Sequence, residues 1–268
     1  IAMPSVVPAS PFQIQSNRNT NCVMNSTRDN VNCWGRYNYN NYGIDSSSSI
    51  WRLSHSTGAF YDLAIHREGG CALNLDRTVS CWGYGRYGAW GDGNIGYGAN
   101  IKTPSITNVV DLAAGQDHLC ALVDNGTAWC WGRDQSSQLG DNAPNSGGVN
   151  GGGDDGSSSP VSVAGGITNF TQIESYAQST CALTDNGTVW CWGKNANGQL
   201  GDGTTTDRDY PVQVQNITDA LDIYVGFGSA CAAVNKRLDL KCWGSYHLGN
   251  DSSSDSSTPV TVTETNGW

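Results

Sequence analysis

The sequence predicts an all-β protein, a β-propeller of about five four-stranded blades with one disulfide-linked hairpin in each blade. Three observations lead to this prediction. A cysteine-bracketed phrase occurs five times, its copies are about fifty residues apart, and the composition favours turns. Glycine contributes 34 of the 268 residues and charged residues only 14%, against about 25% charged residues in an ordinary domain. Glycine and asparagine are common in turns and disfavour helix interiors.

The repeated phrase predicts a β-hairpin. It is clearest in residues 181–193, CALTDNGTVWCWG, and in residues 120–132, CALVDNGTAWCWG. If Cys181 faces Cys191 across an antiparallel pair, the Asp-Asn-Gly segment at 185–187 remains as a three-residue turn. Such a turn needs a residue with positive φ, and the glycine supplies it. A disulfide between the two cysteines would then fix the register of the hairpin.

The cysteines point to an oxidising compartment. All ten form local pairs with nine or ten residues between the partners, and the sequence has none of the C-x-x-C spacings that zinc sites use. Local pairs in every copy are typical of disulfides in secreted proteins. The predicted disulfides are Cys22–Cys33, Cys71–Cys81, Cys120–Cys130, Cys181–Cys191 and Cys231–Cys242. We therefore expect an extracellular protein, the mature product of a secreted precursor, although a fragment of a longer chain would begin in the same way.

The spacing of the copies sets the domain organisation. The tryptophans of the Cys-Trp-Gly motif are 48, 49, 61 and 51 residues apart, and a period near fifty with strand-like cores is typical of a propeller or a solenoid. Each copy also contains a short strand usually opened by proline and an alternating strand, which makes about four strands. We expect one domain over 1–268, a flexible insertion loop at 144–159, and approximate blades at 1–49, 50–103, 104–159, 160–210 and 211–268.

The order of these motifs resembles a known repeat. Pro-Val-x-Val, an Ala-Gly strand, the cysteine-bracketed hairpin and Gly-Gln-Leu-Gly-Asp-Gly at 198–203 are similar to the regulator-of-chromosome-condensation repeat. More narrowly, they resemble its extracellular, cysteine-paired version in microbial surface proteins. The resemblance implies a propeller of four-stranded blades, and familiar members have seven repeats where this chain has five. That family includes a nucleotide-exchange factor, a photoreceptor and a β-lactamase inhibitor, so the fold alone selects no function. We interpret the five Cys-Trp-Gly tryptophans as packing residues.

The sequence also contains one strand more than five blades need. Six candidates for the proline-opened strand begin at Pro4, Ile50, Pro104, Pro160, Pro211 and Pro259. Either the first or the last is therefore surplus, unless the segment at Pro4 resembles the motif by chance. An unpaired terminal strand can pair with another molecule and produce head-to-tail fibres. The candidate self-association residues are Val6 and Val7 at one end and Val260 and Val262 at the other.

Several classes of chemistry are disfavoured. The sequence has no recognised nucleophile motif, and His118 occupies an ordinary repeat position two residues before a cysteine. The acidic clusters at 154–155 and 202–209 lack the spacing of a calcium loop. We therefore predict no catalytic residue, metal site or cofactor. The net charge of −10 argues against a nucleic-acid partner, and no apolar stretch is long enough to span a bilayer.

Six Asn-x-Ser/Thr motifs predict N-linked glycans if the source is eukaryotic. They begin at Asn25, Asn125, Asn169, Asn186, Asn216 and Asn250. We expect a secreted, non-enzymatic structural or adhesive protein that associates with copies of itself. The alternative is a monomeric binding module, a lectin or an enzyme inhibitor, that uses loops on one propeller face.

Overall fold

The computed structural model describes residues 13–17, 20–35, 50–54, 60–143, 156–235 and 239–263. These residues form twenty strands and one 3-10 helix at Arg86–Gly88. The strands are β1 Gln13–Asn17, β2 Thr20–Met24, β3 Asn30–Gly35, β4 Ile50–Ser54, β5 Phe60–His66, β6 Gly69–Asn74, β7 Val79–Tyr84, β8 Tyr97–Lys102, β9 Val109–Ala114, β10 His118–Val123, β11 Ala128–Arg133, β12 Gly156–Ser162, β13 Phe170–Tyr176, β14 Ser179–Thr184, β15 Val189–Gly193, β16 Arg208–Gln213, β17 Ala220–Val225, β18 Ser229–Val234, β19 Asp239–Gly244 and β20 Ser256–Thr261. Within the described ranges, no helix is long and apolar enough to cross a membrane.

Five antiparallel sheets of four consecutive strands make up the propeller. Blade 1 contains β1–β4, blade 2 β5–β8, blade 3 β9–β12, blade 4 β13–β16 and blade 5 β17–β20. Within each blade, every strand pairs with its neighbours along the chain, so the order along the sequence is also the order across the sheet. The predicted all-β architecture of five four-stranded blades is confirmed.

The hairpin at the centre of each blade has the expected register. In blade 4, Cys181 lies opposite Cys191 and Leu183 opposite Val189. Gly187 closes the turn at φ +80°, and a Cβ there would lie 2.9 Å from the backbone of Asp219. Both the positive φ and the close approach of the next blade therefore require glycine. All five predicted disulfides are present.

Three of the four blade boundaries fall one strand later than the sequence-based bounds, whereas the bound at 103/104 lies between β8 of blade 2 and β9 of blade 3. The proline-opened segments at Pro160, Pro211 and Pro259 lie in β12, β16 and β20, which are the fourth strands of blades 3, 4 and 5. The segment at Pro104 follows β8 and is not a strand. Each proline-opened strand completes the blade of the preceding hairpin because it pairs with that hairpin's second strand. Residues 156–159, which we expected in the insertion loop, begin β12; the rest of that loop, 144–155, lies outside the described residues.

The last strand is not surplus. In β20, Val260 lies opposite Cys242, and directly after the strand the Val262 N–H donates to the Leu240 carbonyl at 2.9 Å. The terminal segment therefore completes blade 5. One of our two alternatives made this segment the spare strand, and for Val260 and Val262 that alternative is wrong. The other candidates, Val6 and Val7, lie outside the described residues.

The core consists of blade-to-blade junctions. Each blade has a cysteine face, which carries the disulfide, and a tryptophan face, which carries the Cys-Trp-Gly tryptophan. At the junction of blades 4 and 5, Cys181 and Leu183 pack against Ile223, Ala232 and Trp243. The other three junctions join the same two kinds of face. The disulfides of blades 1 to 4 are therefore sealed between neighbouring blades.

Candidate interaction surfaces

A cavity of about 170 Å³ lies where the first strands of all five blades meet. Its lining includes the carboxyl groups of Asp62 on β5, Asp111 on β9 and Glu174 on β13. The Ile173 N–H donates to Asp111 Oδ2 at 3.0 Å, and a Gln13 amide N–H donates to Asp62. Both bonds cross from one blade to the next. Asp62 and Asp111 therefore join neighbouring blades.

Burial changes the protonation of these carboxyl groups. It raises the pKa of Glu174 to about 7, and the negative charge of Asp62 contributes to the rise. Burial also raises the pKa of Asp111 well above its usual range, with Asp62 again the second cause. The pKa of Asp62 is raised by burial and partly lowered by the hydrogen bond from Gln13. Among the described residues, no group of three or more His, Cys, Asp or Glu side chains is arranged to hold a metal ion.

His118 is completely buried between blades 3 and 4. Its Nε2 lies 2.9 Å from Thr180 Oγ1, which lies 2.9 Å from Ser175 Oγ. Burial lowers the pKa of His118 to about 3, so the imidazole is neutral at physiological pH. Its contacts connect two blades in the interior, which fits a packing position of the repeat.

Blade 1 leaves its tryptophan face open. Ile14 is 70% exposed, whereas its counterparts in blades 2 to 5 are at most 6% exposed. Trp34 is 40% exposed, whereas the Cys-Trp-Gly tryptophans of the other four blades are at most 2% exposed. The tryptophan of the motif is therefore buried in blades 2 to 5, where a preceding blade covers it, and exposed in blade 1.

Blade 5 leaves its cysteine face open. Leu240 is 46% exposed, although its counterpart in blade 4, Val189, is completely buried against blade 5. Tyr224, on the same face, is 65% exposed. In the adjoining loops, the exposed rings of Phe227 and Tyr246 lie 6.1 Å apart. The row of five blades thus exposes a tryptophan face on blade 1 and a cysteine face on blade 5.

The predicted glycosylation sites cluster at one end of the blades. Asn25, Asn125 and Asn186 lie in the turns between second and third strands, and Asn169 and Asn216 lie in connections between blades. These turns and connections meet, since the Asp185 N–H donates to the Asn169 carbonyl at 3.0 Å. Asn250, between β19 and β20, lies at the opposite end. The sequence alone did not indicate this clustering.

Comparison with known proteins shows which repeat the blades represent. A sequence model of the regulator of chromosome condensation (RCC1) repeat matches residues 109–138 and 170–199, and a second RCC1 repeat model matches residues 186–233. The chain carries RCC1 repeats. Its RCC1-repeat relatives include the ultraviolet-B receptor UVR8 of Arabidopsis thaliana, 30% identical over 215 residues, which are 73% of this chain and 44% of UVR8. The E3 ubiquitin-protein ligase HERC2 of Homo sapiens is 28% identical over 198 residues, 70% of this chain and 4% of HERC2.

Solved RCC1-like structures share the fold. Human WBSCR16 has a TM-score of 0.79 at 18% identity, covering 95% of this chain and 68% of that chain. Prp20p of Saccharomyces cerevisiae has a TM-score of 0.77 at 16% identity, covering 94% of this chain and 63% of that chain. The RCC1-repeat chain spans less than half the length of the curated relatives above and about two thirds of these structures.

Proposed function

We propose that this RCC1-repeat protein is a secreted, non-enzymatic structural or adhesive protein that self-associates. The observation that carries the proposal is the pair of open end faces. Ile14 on blade 1 and Leu240 on blade 5 are exposed at positions that are buried in the internal junctions. Exposed apolar surface of this kind is typical of interaction sites.

A second copy is the partner that these faces fit. All four internal junctions join a cysteine face to a tryptophan face, and the two open ends are one face of each kind. The surfaces that must meet are different, so the contact is heterologous and repeats from copy to copy. The assembly is then an open row or a closed ring of several copies.

Five disulfides favour an extracellular location, because disulfides of this density persist in oxidising compartments. The repeat itself does not select a compartment, since one relative is the mitochondrial protein RUG3 of Arabidopsis thaliana. The net charge of −10 favours a protein partner over nucleic acid.

The test is the mass in solution, measured by light scattering across a range of concentrations. We expect the mass to rise above the 28.4 kDa of one chain as the concentration increases. A mass that stays at one chain plus its glycans at every concentration would refute self-association and favour a monomeric binding module. Deleting residues 1–10 separates two mechanisms, because donation of the segment that carries Val6 and Val7 fails without it, whereas contact between end faces persists.

A further inference from the structure

Internal tryptophans are held in a recurring socket. The indole N–H of Trp192 donates to the Gln138 carbonyl of the preceding blade at 3.1 Å, and that of Trp243 donates to the Gln199 carbonyl at 2.9 Å. In blade 3, Trp131 donates to the Ala89 carbonyl at 3.1 Å. The acceptor in each case belongs to the loop that follows the third strand of the preceding blade.

A glycine two residues after the acceptor completes the socket. Gly201 has φ +67°, and a Cβ there would lie 2.9 Å from the Trp243 ring and 2.9 Å from Val214. Gly140 has φ +65°, and a Cβ there would lie 2.5 Å from the Trp192 ring. The socket that blade 4 offers to Trp243 thus consists of a backbone carbonyl, a left-handed glycine that lets the ring approach, and a valine just after the fourth strand. In the socket for Trp131, Pro104 lies beside the corresponding Gly91.

Blade 5 has a related set of residues at its open end, in a loop that is three residues shorter and in which His247 has φ +52°, a positive value that Gln138 and Gln199 do not share. His247, Leu248 and Gly249 align with Gln199, Leu200 and Gly201, and Gly249 has φ +75°.

Blade 5 also has a valine at the position of Val214. Val262 follows β20 as Val214 follows β16, and the N–H of each donates to the third strand of its own blade at 2.9 Å. His247, Gly249 and Val262 line an open cavity of about 540 Å³. Its volume exceeds the roughly 150 Å³ of an enclosed cavity that accepts benzene, and it is open to solvent.

Trp34 is the matching tryptophan. It occupies the Cys-Trp-Gly position of blade 1 and is exposed, whereas its counterparts in blades 3, 4 and 5 fill the sockets described above. Trp34 is therefore exposed at the first blade of the row, and the residues of blade 5 that correspond to a socket line an open cavity at the last blade.

We propose that Trp34 of one copy inserts into the His247–Gly249–Val262 socket of a second copy, with its indole N–H donating to the His247 carbonyl. This inference rests on the proposed self-association and identifies its interface. The contact reproduces the chemistry of the internal junctions: an indole N–H to a backbone carbonyl, and a ring against glycine and valine. Ile14 of the first copy and Leu240 of the second then lie in the same interface, on the two faces that the internal junctions bring together.

The experiment uses two variants of the full chain that disable opposite ends. Trp34→Ala removes the inserted ring, and Val262→Asp places a charge in the socket. Loss of a central aromatic residue weakens an interface by at least about 30-fold, so each variant alone is expected to be a monomer by light scattering. An equimolar mixture is expected to form a dimer and nothing larger, because the Trp34→Ala chain still supplies a socket and the Val262→Asp chain still supplies a tryptophan.

Matched controls are available on the outer strands. Tyr210→Ala on β16 and Ile101→Asp on β8 change side chains about as exposed as Trp34 and Leu240, respectively, and are expected to assemble like the wild type. Circular dichroism checks that each variant is folded, and Leu240→Asp is a second variant of the blade 5 face that leaves the socket residues intact. It should also be rescued as a dimer by the Trp34→Ala chain.

The outcomes separate this inference from the proposed function. If the wild type assembles and Trp34→Ala and Val262→Asp assemble equally well, self-association stands and the socket contact is wrong. If each folded variant is monomeric but the mixture stays monomeric, the heterologous contact is refuted. If the wild type itself never exceeds one chain, both proposals fail.

Discussion

The side chain of Gln172 on blade 4 spans the junction to Asp222 and Ile223 on blade 5. Its Nε2 donates to Asp222 Oδ1 at 2.8 Å, and its Oε1 accepts from the Ile223 N–H at 3.2 Å. Asp111 and Gln13 make equivalent polar contacts across other junctions. Polar side chains therefore join the first strands of neighbouring blades. Apolar side chains join the cysteine face of one blade to the tryptophan face of the next.

Replacing Gln172 should weaken the junction of blades 4 and 5. Gln172→Leu removes the bonds to Asp222 and Ile223, and a net hydrogen bond contributes about 1 kcal/mol. We expect the free energy of unfolding to fall by about 1–2 kcal/mol in denaturant titrations. Gln213→Leu on the exposed side of β16 is the control and should change it little; equal losses in both variants would contradict a role for the junction bonds.

Glu174 should make the protein less stable as the pH rises. Its folded pKa of about 7 lies above the value of 4.5 expected when unfolded, so its contribution is complete below pH 4.5 and is lost as the pH rises through 7. Glu174→Gln removes this loss. We expect the variant to gain roughly 3 kcal/mol relative to the wild type on going from pH 4.5 to pH 8, measured by thermal unfolding at both pH values. A constant difference between the two proteins would show that Glu174 does not titrate in this range.

His66 should make the protein less stable as the pH falls, which is the opposite of the effect of Glu174. Burial lowers the pKa of His66 to about 4, below the unfolded value of 6.5, so stability is complete above pH 6.5 and is lost as the pH falls towards 4. His66→Gln is expected to flatten this acidic loss, although the substitution itself lowers the melting temperature at every pH. The measurement is the slope of melting temperature against pH between 6.5 and 4. An unchanged slope would be inconsistent with a buried, neutral His66.

The disulfides should differ in their contribution to stability although their loops are similar. Cys181–Cys191 and Cys231–Cys242 have sequence separations of 10 and 11, which gives nearly the same chain-entropy term of about 2–3 kcal/mol. The first is sealed against blade 5, whereas Cys231 of the second is only half-buried. Replacing the first pair by alanine should therefore cost more, because it also opens cavities in the core. Denaturant titration of the two double variants checks this, and equal losses would contradict it.

Glycans should occupy one end of the propeller. When the chain is expressed through a eukaryotic secretory pathway, we expect glycans at the exposed Asn125, Asn186 and Asn216, which lie at the same end of the blades. Peptide mass spectrometry gives the occupancy at each site. Modification chiefly at Asn250, at the opposite end, would contradict this distribution.

Much of the local structure could be read from the sequence because it depends on residues close together in the chain. The facing cysteines and the Asp-Asn-Gly turn specify the strand register of the hairpin in blade 4 without any distant contact. The Cys181–Cys191 disulfide follows directly from that register. The fivefold repetition then implies five similar sheets.

Only the tertiary structure decided which strands share a blade and which faces remain open. The proline-opened strand at Pro259 could complete blade 5 or be surplus, and the choice depends on its pairing with β19. Trp34 and Trp192 occupy the same motif, yet one is exposed and the other is buried. Burial depends on whether a neighbouring blade supplies the carbonyl, the glycine and the apolar surface, and none of these is encoded in the motif itself.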